Sequence, residues 1–322
     1  MLKVALFGLG HLGRIHLKCL QLLPEVYEIA GVFDPDPQAR TRAEEAGVPY
    51  YEDAAQLLAR VDAVDIVTPT TTHFDLARRA IKAGKHVFIE KPLTDSVSDA
   101  RKLVELSRQQ GVKVQVGHVE RFNPALLSLG DMEVAPMFVE AHRLAGFNPR
   151  GTDVSVVLDL MIHDLDIVLS LIDAPVTNVH ATGVAVVSKT PDIANARLEF
   201  ANGAVANLTA SRISLKQMRK VRFFQRDAYI SLDFLDKQAQ IVRLYDEGSQ
   251  PTDIDTLMEL GTPAGKKFIH VDMPEIEPVN AIKLELATFA ESILKDEAPR
   301  VPIEDGYQAL LIADRIAREI AG

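Results

Sequence analysis

The 322-residue chain has a single cysteine, Cys19, so it cannot form an internal disulfide. Cys19 stands among Leu17, Leu20, Leu22 and Leu23, the setting of a packed thiol rather than a nucleophile. An excess of positive charge is also missing. Lys and Arg total 35 against 45 Asp and Glu, a net charge of −10, which argues against a broad nucleic-acid or anionic-membrane footprint. No apolar run approaches the roughly 20 residues needed to span a bilayer. The start, MLKVALFGLG, lacks the apolar length and cleavage site of a signal peptide, and a reducing cytoplasm is the expected compartment. There is no internal repeat and no low-complexity segment. What is present is 47% hydrophobic and 25% charged residues, a composition that supports real cores, over a length that suits two domains.

The first third alternates strand and helix. KVALFG, YEIAGVFD, VDAVDIVTPT, KHVFIE and VKVQVGH read as strands. Between them lie helical runs: HLGRIHLKCLQLLPE, PQARTRAEEAG, THFDLARRAIKAG and DSVSDARKLVELSRQQG. Gly47, Gly84 and Gly111 are the expected stops, and Asp95 or Ser96 the cap of the last helix. Strict alternation predicts a doubly wound parallel sheet of the Rossmann kind over residues 1–119, with ligands beyond the carboxyl ends of its strands. The first such end reads Gly8-Leu9-Gly10-His11-Leu12-Gly13. Following a strand, opening a helix, and with Asp34 ending the next strand, it is a dinucleotide fingerprint. Gly8 permits the turn, Gly10 the approach of a pyrophosphate, and Gly13 close helix–strand packing. Asp34 suits the ribose hydroxyls of NAD and repels a 2′-phosphate, so NAD is expected over NADP. Arg40 is the one nearby residue that weakens this preference.

Residues 120–322 read differently. After ERFNPALLSLG come strand runs joined by short turns, and Asn202-Gly203 is a strong hairpin signal. In the strand that follows, Ala204, Ala206, Leu208 and Ala210 alternate with Val205, Asn207, Thr209 and Ser211. The expectation is an α+β domain on a large, open, mostly antiparallel sheet. Its covers would be a helix over 154–172 and the helix in AIKLELATFAESILK, which carries Ile282, Leu286, Phe289 and Ile293 on one side. A final helix over about 304–320 could cover either domain. The stretch 247–265 is a loop candidate.

Two groups of residues carry chemistry. Glu90-Lys91-Pro92 ends the hydrophobic run Val87-Phe88-Ile89 in a charged pair and a residue that cannot continue a ladder. This is either ordinary surface charge or chemistry placed where a sheet opens into a cleft. Asp159 and His163 stand four apart on a hydrophobic helix and share a face. Such a pair serves as a general base with its orienting carboxylate, as a structural pair, or as part of a metal set; no further ligands at familiar spacing stand close, and no metal is expected.

GLGHLGRIHL, VTPTTTHFDLARRAIKAGKHVFIEKPL and LDLMIHDLDIVL together resemble the Gfo/Idh/MocA oxidoreductases. The resemblance implies a Rossmann domain followed by an open-sheet domain whose exposed face makes homodimers or homotetramers. It implies a catalytic set of Lys91, Asp159 and His163. Lys91 would hydrogen-bond the reacting hydroxyl, His163 would act as base, and Asp159 would orient one of them. It places Gly8, Gly10, His11, Leu12, Gly13, Asp34, Thr68, Pro69, His73, Glu90 and Lys91 at the cofactor, Glu90 near the nicotinamide ribose. His118, Arg121, Asn123 and Arg143, with Lys91, Asp159 and His163, are the candidates for holding a sugar. VGHVERFNPA and DVSVVLDLMIHDLD are similar to the branch of nucleotide-sugar 3-dehydrogenases, which implies oxidation at the 3-hydroxyl of a UDP-amino sugar such as UDP-N-acetylglucosamine. A free-sugar or cyclitol dehydrogenase is the close variant, and a non-catalytic NAD-binding sensor the distant one. Arg212, Lys216, Arg219, Lys220 and Arg222 could face a diphosphate, though a solvated strand and turn is the plainer reading.

Overall fold

The computed structural model describes residues 1–148, 154–251, 256–263 and 265–322. The chain forms two compact units: Met1–Phe122 with Asn280–Leu311, and Asn123–Val279 with Ile312–Gly322. Among the described residues no helix is long and apolar enough to cross a membrane.

The first unit runs β1 Leu2–Phe7, α1 His11–Gln21, β2 Tyr27–Phe33, α2 Gln38–Glu45, β3 Tyr50–Tyr51, α3 Ala54–Leu58 and β4 Ala63–Ile66. It continues with α4 Thr70–Lys82, β5 His86–Glu90, α5 Val97–Gln110 and β6 Val114–Gly117. The six strands are all parallel, in the order β3-β2-β1-β4-β5-β6. The chain therefore turns one way from β1 to β2 and the other way to β4, and the strand order reverses beside the carboxyl end of β1. The expected strands and helices are all present. Ser96 Oγ accepts from the Asp99 N–H at 3.1 Å to cap α5, and Gly111 ends that helix at φ +64°. The two-residue β3 and the five-residue α3 are too short to leave a periodic signal in the sequence.

The second unit begins with α6 Pro124–Leu127 and β7 Phe138–Leu144. A π-helical turn, Val157–Met161, then leads into α7 Ile162–Leu171. Eight strands follow: β8 Val176–Val184, β9 Ile193–Phe200, β10 Val205–Ser211, β11 Met218–Phe224, β12 Ala228–Asp233, β13 Gln238–Asp246, β14 Met258–Thr262 and β15 Gly265–Asp272. They join β7 in a nine-stranded sheet ordered β14-β15-β13-β12-β11-β7-β10-β9-β8. Every neighbouring pair is antiparallel except β7 and β10. Ala206, Leu208 and Ala210 turn into the core with Val139, Ala141, Val221 and Phe223, and Leu165 and Val168 of α7 join that core. The expected two-faced strand is thus observed, with α7 among its covers.

Two helices close the chain, α8 Ala281–Leu294 and α9 Ile303–Ala321. Three expectations change here. The expected boundary at 119/120 falls near the observed one at 122/123, but residues 280–311 return to the first unit. Helix α8 accordingly does not cover the antiparallel sheet. Leu286, Phe289 and Ala290 pack on Leu2, Val4, Ala63 and Phe88 of the parallel sheet, with the Phe88 and Phe289 rings edge-on at 5.9 Å. Each large side chain removed from water there stabilises the unit by roughly 1.5–3 kcal/mol. The loop expected at 247–265 contains β14, a short exposed strand paired with β15; residues 252–255 and 264 of that stretch lie outside the described residues.

Candidate active site

A cleft of about 890 Å³ opens at the carboxyl ends of β1, β2, β4 and β5. Its geometry starts with three glycines. Gly8 leaves β1 at φ +95°, and a Cβ on it would stand 2.4 Å from the Val67 carbonyl oxygen. A Cβ on Gly13 would stand 2.1 Å from the Gly8 carbonyl oxygen, so the first turn of α1 rests directly on the loop. Gly10 has no atom within 4 Å of the place its Cβ would occupy. It lines the cleft, so backbone there is open to close approach by a ligand. Gly10 is also the residue that caps α1, with no side-chain cap and no acidic residue in the first turn. The helix N-terminus keeps the N–H groups and partial positive charge that suit a phosphate. These features fit a dinucleotide pyrophosphate.

Asp34 is held at the end of β2. Its Oδ2 accepts the Leu9 N–H at 2.6 Å, its Oδ1 accepts the Asp36 N–H at 2.8 Å, and Tyr50 donates to its carbonyl at 2.9 Å. The basic residues nearby have partners. Arg40 pairs with Glu52 at 2.5 Å and lies over the Tyr50 ring, and Arg42 pairs with Asp36 at 2.9 Å. A carboxylate beside committed cations suits ribose hydroxyls and disfavours a 2′-phosphate.

His11, Leu12, Thr68, Pro69, Glu90 and Lys91 line the same cleft. Glu90 is mostly buried; its Oε2 accepts the Lys91 N–H at 3.1 Å. The Lys91–Pro92 peptide is cis. His73 does not line the cleft. Its Nδ1 lies 3.0 Å from the Pro92 carbonyl and its Nε2 2.9 Å from the Thr68 carbonyl, so it ties the turns after β4 and β5 together from behind. Burial lowers its pKa, against those carbonyls and Glu90, which raise it. One face of α4 supplies cleft residues not singled out in the sequence: Thr72, Asp75, Leu76 and Arg79. Their spacing of three and four was the available signal.

In the second unit Asp159 sits in the π-helical turn and His163 in the first turn of α7, both half-buried. The helix expected over 154–172 is thus regular from Ile162 to Leu171, and the widened turn takes its place at Val157–Met161, a type of irregularity common at functional sites. Asp164 beside them is buried and accepts from Arg143 through both oxygens, at 3.0 and 2.8 Å.

The residues expected to hold a sugar have protein partners. Arg143 is the buried partner of Asp164. Arg121 pairs with Asp305 at 3.0 Å. Asn123 caps α6 through the Ala125 N–H at 3.0 Å and donates to the Phe234 carbonyl at 3.1 Å. His118 is buried after β6. In the basic run, Arg212 is buried and donates to the Val154 and Pro191 carbonyls. Lys220 pairs with Asp233 at 3.0 Å and Arg222 with Glu140 at 2.7 Å.

Residues 2–118 match the model of an oxidoreductase family with an NAD-binding Rossmann fold, and residues 136–228 match the C-terminal domain of the same Gfo/Idh/MocA family. The chain is 37% identical over 294 residues to UDP-N-acetylglucosamine 3-dehydrogenase of Acidithiobacillus ferrooxidans, covering 91% of this chain and 88% of that one. A solved structure of UDP-N-acetylglucosamine 3-dehydrogenase GnnA from Acidithiobacillus ferrooxidans superposes with a TM-score of 0.88 at 33% identity, covering 99% of this chain and 97% of that one. The scyllo-inositol 2-dehydrogenase (NAD(+)) of Bacillus subtilis is 32% identical over 231 residues, 66% of this chain and 68% of its own.

Proposed function

Since the chain belongs to the Gfo/Idh/MocA oxidoreductase family with its NAD-binding Rossmann fold, we propose that it oxidises a secondary alcohol of a sugar to a ketone, at the 3-hydroxyl of a UDP-amino sugar such as UDP-N-acetylglucosamine. The observation that carries this reading is the end of β5. There Glu90 and Lys91 stand in the wall of the cleft whose glycine loop and Asp34 suit NAD. The relative from Acidithiobacillus ferrooxidans, similar over nine-tenths of this chain, supports the substrate class.

Bound NAD supplies the hydride acceptor. Lys91 donates a hydrogen bond to the reacting hydroxyl and steadies the alkoxide that develops on it. His163 takes the hydroxyl proton, and Asp159 orients Lys91 or His163. Gly8, Gly10 and Gly13 admit the pyrophosphate, and Asp34 takes the adenosine ribose hydroxyls. Glu90 stands toward the nicotinamide ribose, and His73 holds the turns that carry Thr68, Pro69 and Pro92. His118 stays a candidate for the sugar. Arg143 and Asn123 serve the scaffold on this reading, because each already satisfies a buried polar group. The protein works in the cytoplasm as a homodimer or homotetramer joined through the open face of the nine-stranded sheet.

The inositol dehydrogenase relative favours a second reading, oxidation of a cyclitol. One panel separates the two. UDP-N-acetylglucosamine should raise the NADH absorbance band, and inositols should not; the reverse result selects the cyclitol. Lys91→Ala should lower turnover at least about a hundredfold while NAD still binds. Full turnover in that variant would refute the assigned chemistry. Size-exclusion chromatography with light scattering tests the assembly, and a monomer would refute it.

A further inference from the structure

Behind the end of β5 the first unit buries a cluster of ionisable side chains. His16 of α1 is fully buried. Its Nδ1 lies 2.9 Å from Asp65 Oδ2 on β4, and its Nε2 lies 3.2 Å from Glu90 Oε1 on β5. Glu285 of α8, also fully buried, brings its carboxylate within 4.8 Å of both His16 and Glu90. Among the described residues, neither of its oxygens has a hydrogen-bond partner. Three carboxylates around one imidazole cannot all be charged away from water without a heavy desolvation cost. Protons relieve it: Asp65 and Glu90 favour the imidazolium at His16, and burial favours the neutral acid at Glu285.

Glu90 is the member of the cluster that reaches the cleft, and its carboxylate is confined on three sides. His16 Nε2 stands at ion-pair distance from Oε1 without the geometry of a hydrogen bond, the Lys91 N–H donates to Oε2, and Gly117 of β6 closes the slot. A Cβ on Gly117 would stand 2.8 Å from Oε1 and 2.9 Å from the carboxyl carbon of Glu90. Glycine at 117 is therefore the condition for Glu90 to lie where it does. The φ of Gly117 is not in the left-handed region, so backbone conformation does not demand a glycine there.

We propose that His16 and Gly117 are positioning residues of the dinucleotide site: His16, itself oriented by Asp65, grips one oxygen of Glu90, and the bare Gly117 leaves the slot that the carboxylate fills. The inference rests on the reading of this cleft as the NAD site. Burial pulls the His16 pKa down, but Asp65 and Glu90 outweigh it and hold it well above its ordinary value. Cys19, Tyr27 and His73 are further ionisable side chains that feel the cluster. Helix α8 also packs on residues 119–122, which carry Glu120 and Arg121.

Gly117→Ala tests the slot most directly, because the atoms in its way are the free end of Glu90 rather than backbone. Fluorescence titration with NAD should give a dissociation constant roughly tenfold higher for Gly117→Ala, and likewise for His16→Gln. In a Glu90→Ala background, Gly117→Ala should add less than about a factor of two, because it acts through a group already removed. A merely structural glycine would cost the same in both backgrounds. Imidazole ¹⁵N spectra of the wild-type protein should show His16 keeping both nitrogens protonated to higher pH than an ordinary histidine, and Glu90→Gln should lower its titration point. Unchanged NAD affinity in Gly117→Ala, additive losses in the double variant, or a His16 that titrates at or below an ordinary histidine would each overturn the proposal. A wild-type protein that takes up no NAD at all would instead overturn the reading of the cleft. Should His16→Gln fail to fold, the Gly117→Ala cycle and the wild-type spectra still decide.

Discussion

Replacing Glu285 by Gln should make the protein more stable as pH rises, relative to the wild type. Glu285 is fully buried, and burial first, then the nearby Glu90 and Asp65 charges, push its carboxyl well above the ordinary value of 4.5 against the opposing pull of His16. The sign follows from proton counting. Above pH 4.5 the unfolded chain releases the Glu285 proton while the folded chain keeps it, so folding stability falls with pH until the folded pKa is passed. The slope for one group is about 1.4 kcal/mol per pH unit. A carboxyl that keeps its proton in the fold to neutral pH therefore costs the fold on the order of a few kcal/mol there, and little below pH 4.5. Gln keeps the shape without the charge, so the stability gap between Glu285→Gln and wild type should open from pH 5 to pH 7 by up to about 3 kcal/mol, several degrees in Tm. His16 and Asp65 are also shifted upward, but both proteins carry them, and their contributions largely cancel in the difference. The second donor of the amide adds a constant offset, so the slope and not the offset is the readout. Urea denaturation of both proteins at half-unit pH steps measures it. A gap that does not change with pH, or a variant that loses ground as pH rises, would show that Glu285 is charged in the fold and refute the neutral acid.

Three other substitutions probe the remaining geometry. Gly13→Ala drives a Cβ to 2.1 Å from the Gly8 carbonyl, backbone against backbone, so NAD affinity should fall at least about tenfold and the midpoint of urea unfolding should drop; unchanged NAD titration would contradict the close packing of α1 on the loop. Arg143→Met should destabilise by about 3–5 kcal/mol, because Asp164 is left charged and buried. Adding Asp164→Asn should recover much of that loss, and a failure to recover would mean that Arg143 does more than pair with Asp164. Asp34→Ala removes the carboxylate that accepts the Leu9 and Asp36 N–H groups, and should raise the dissociation constant for NAD several-fold while leaving that for NADP nearly unchanged; equal losses for both would refute its part in choosing between them.

How much of this was legible in the sequence depended on how far apart the cooperating residues lie. The glycine loop was readable because each glycine answers to a neighbour within the same strand–turn–helix unit, and Asp34 because parallel β1 and β2 place consecutive strand ends side by side. The apolar stripe of α8 was equally readable, yet periodicity states only that Leu286 and Phe289 are covered; the choice of Phe88 and Val4 as cover comes from shape and topology. Arg121, Asn123 and Arg143 have the chemistry to hold a sugar, and what distinguishes a ligand donor from a scaffold donor is the partner. Asp305, the Phe234 carbonyl and Asp164 are remote in sequence or carry no motif. The Glu90 slot is the strongest case. Its walls come from α1, β4, β5, β6 and α8, five elements that no local pattern connects. Gly117 reads as a plain strand end and Glu285 as a charge bordering the apolar stripe of its helix, until the fold turns both toward one carboxylate. A charged residue on the apolar side of a helix that is then buried whole is the physical clue that remains. Where such a residue has no partner of its own, a proton or a neighbour's charge must take its place, and the site nearby feels which.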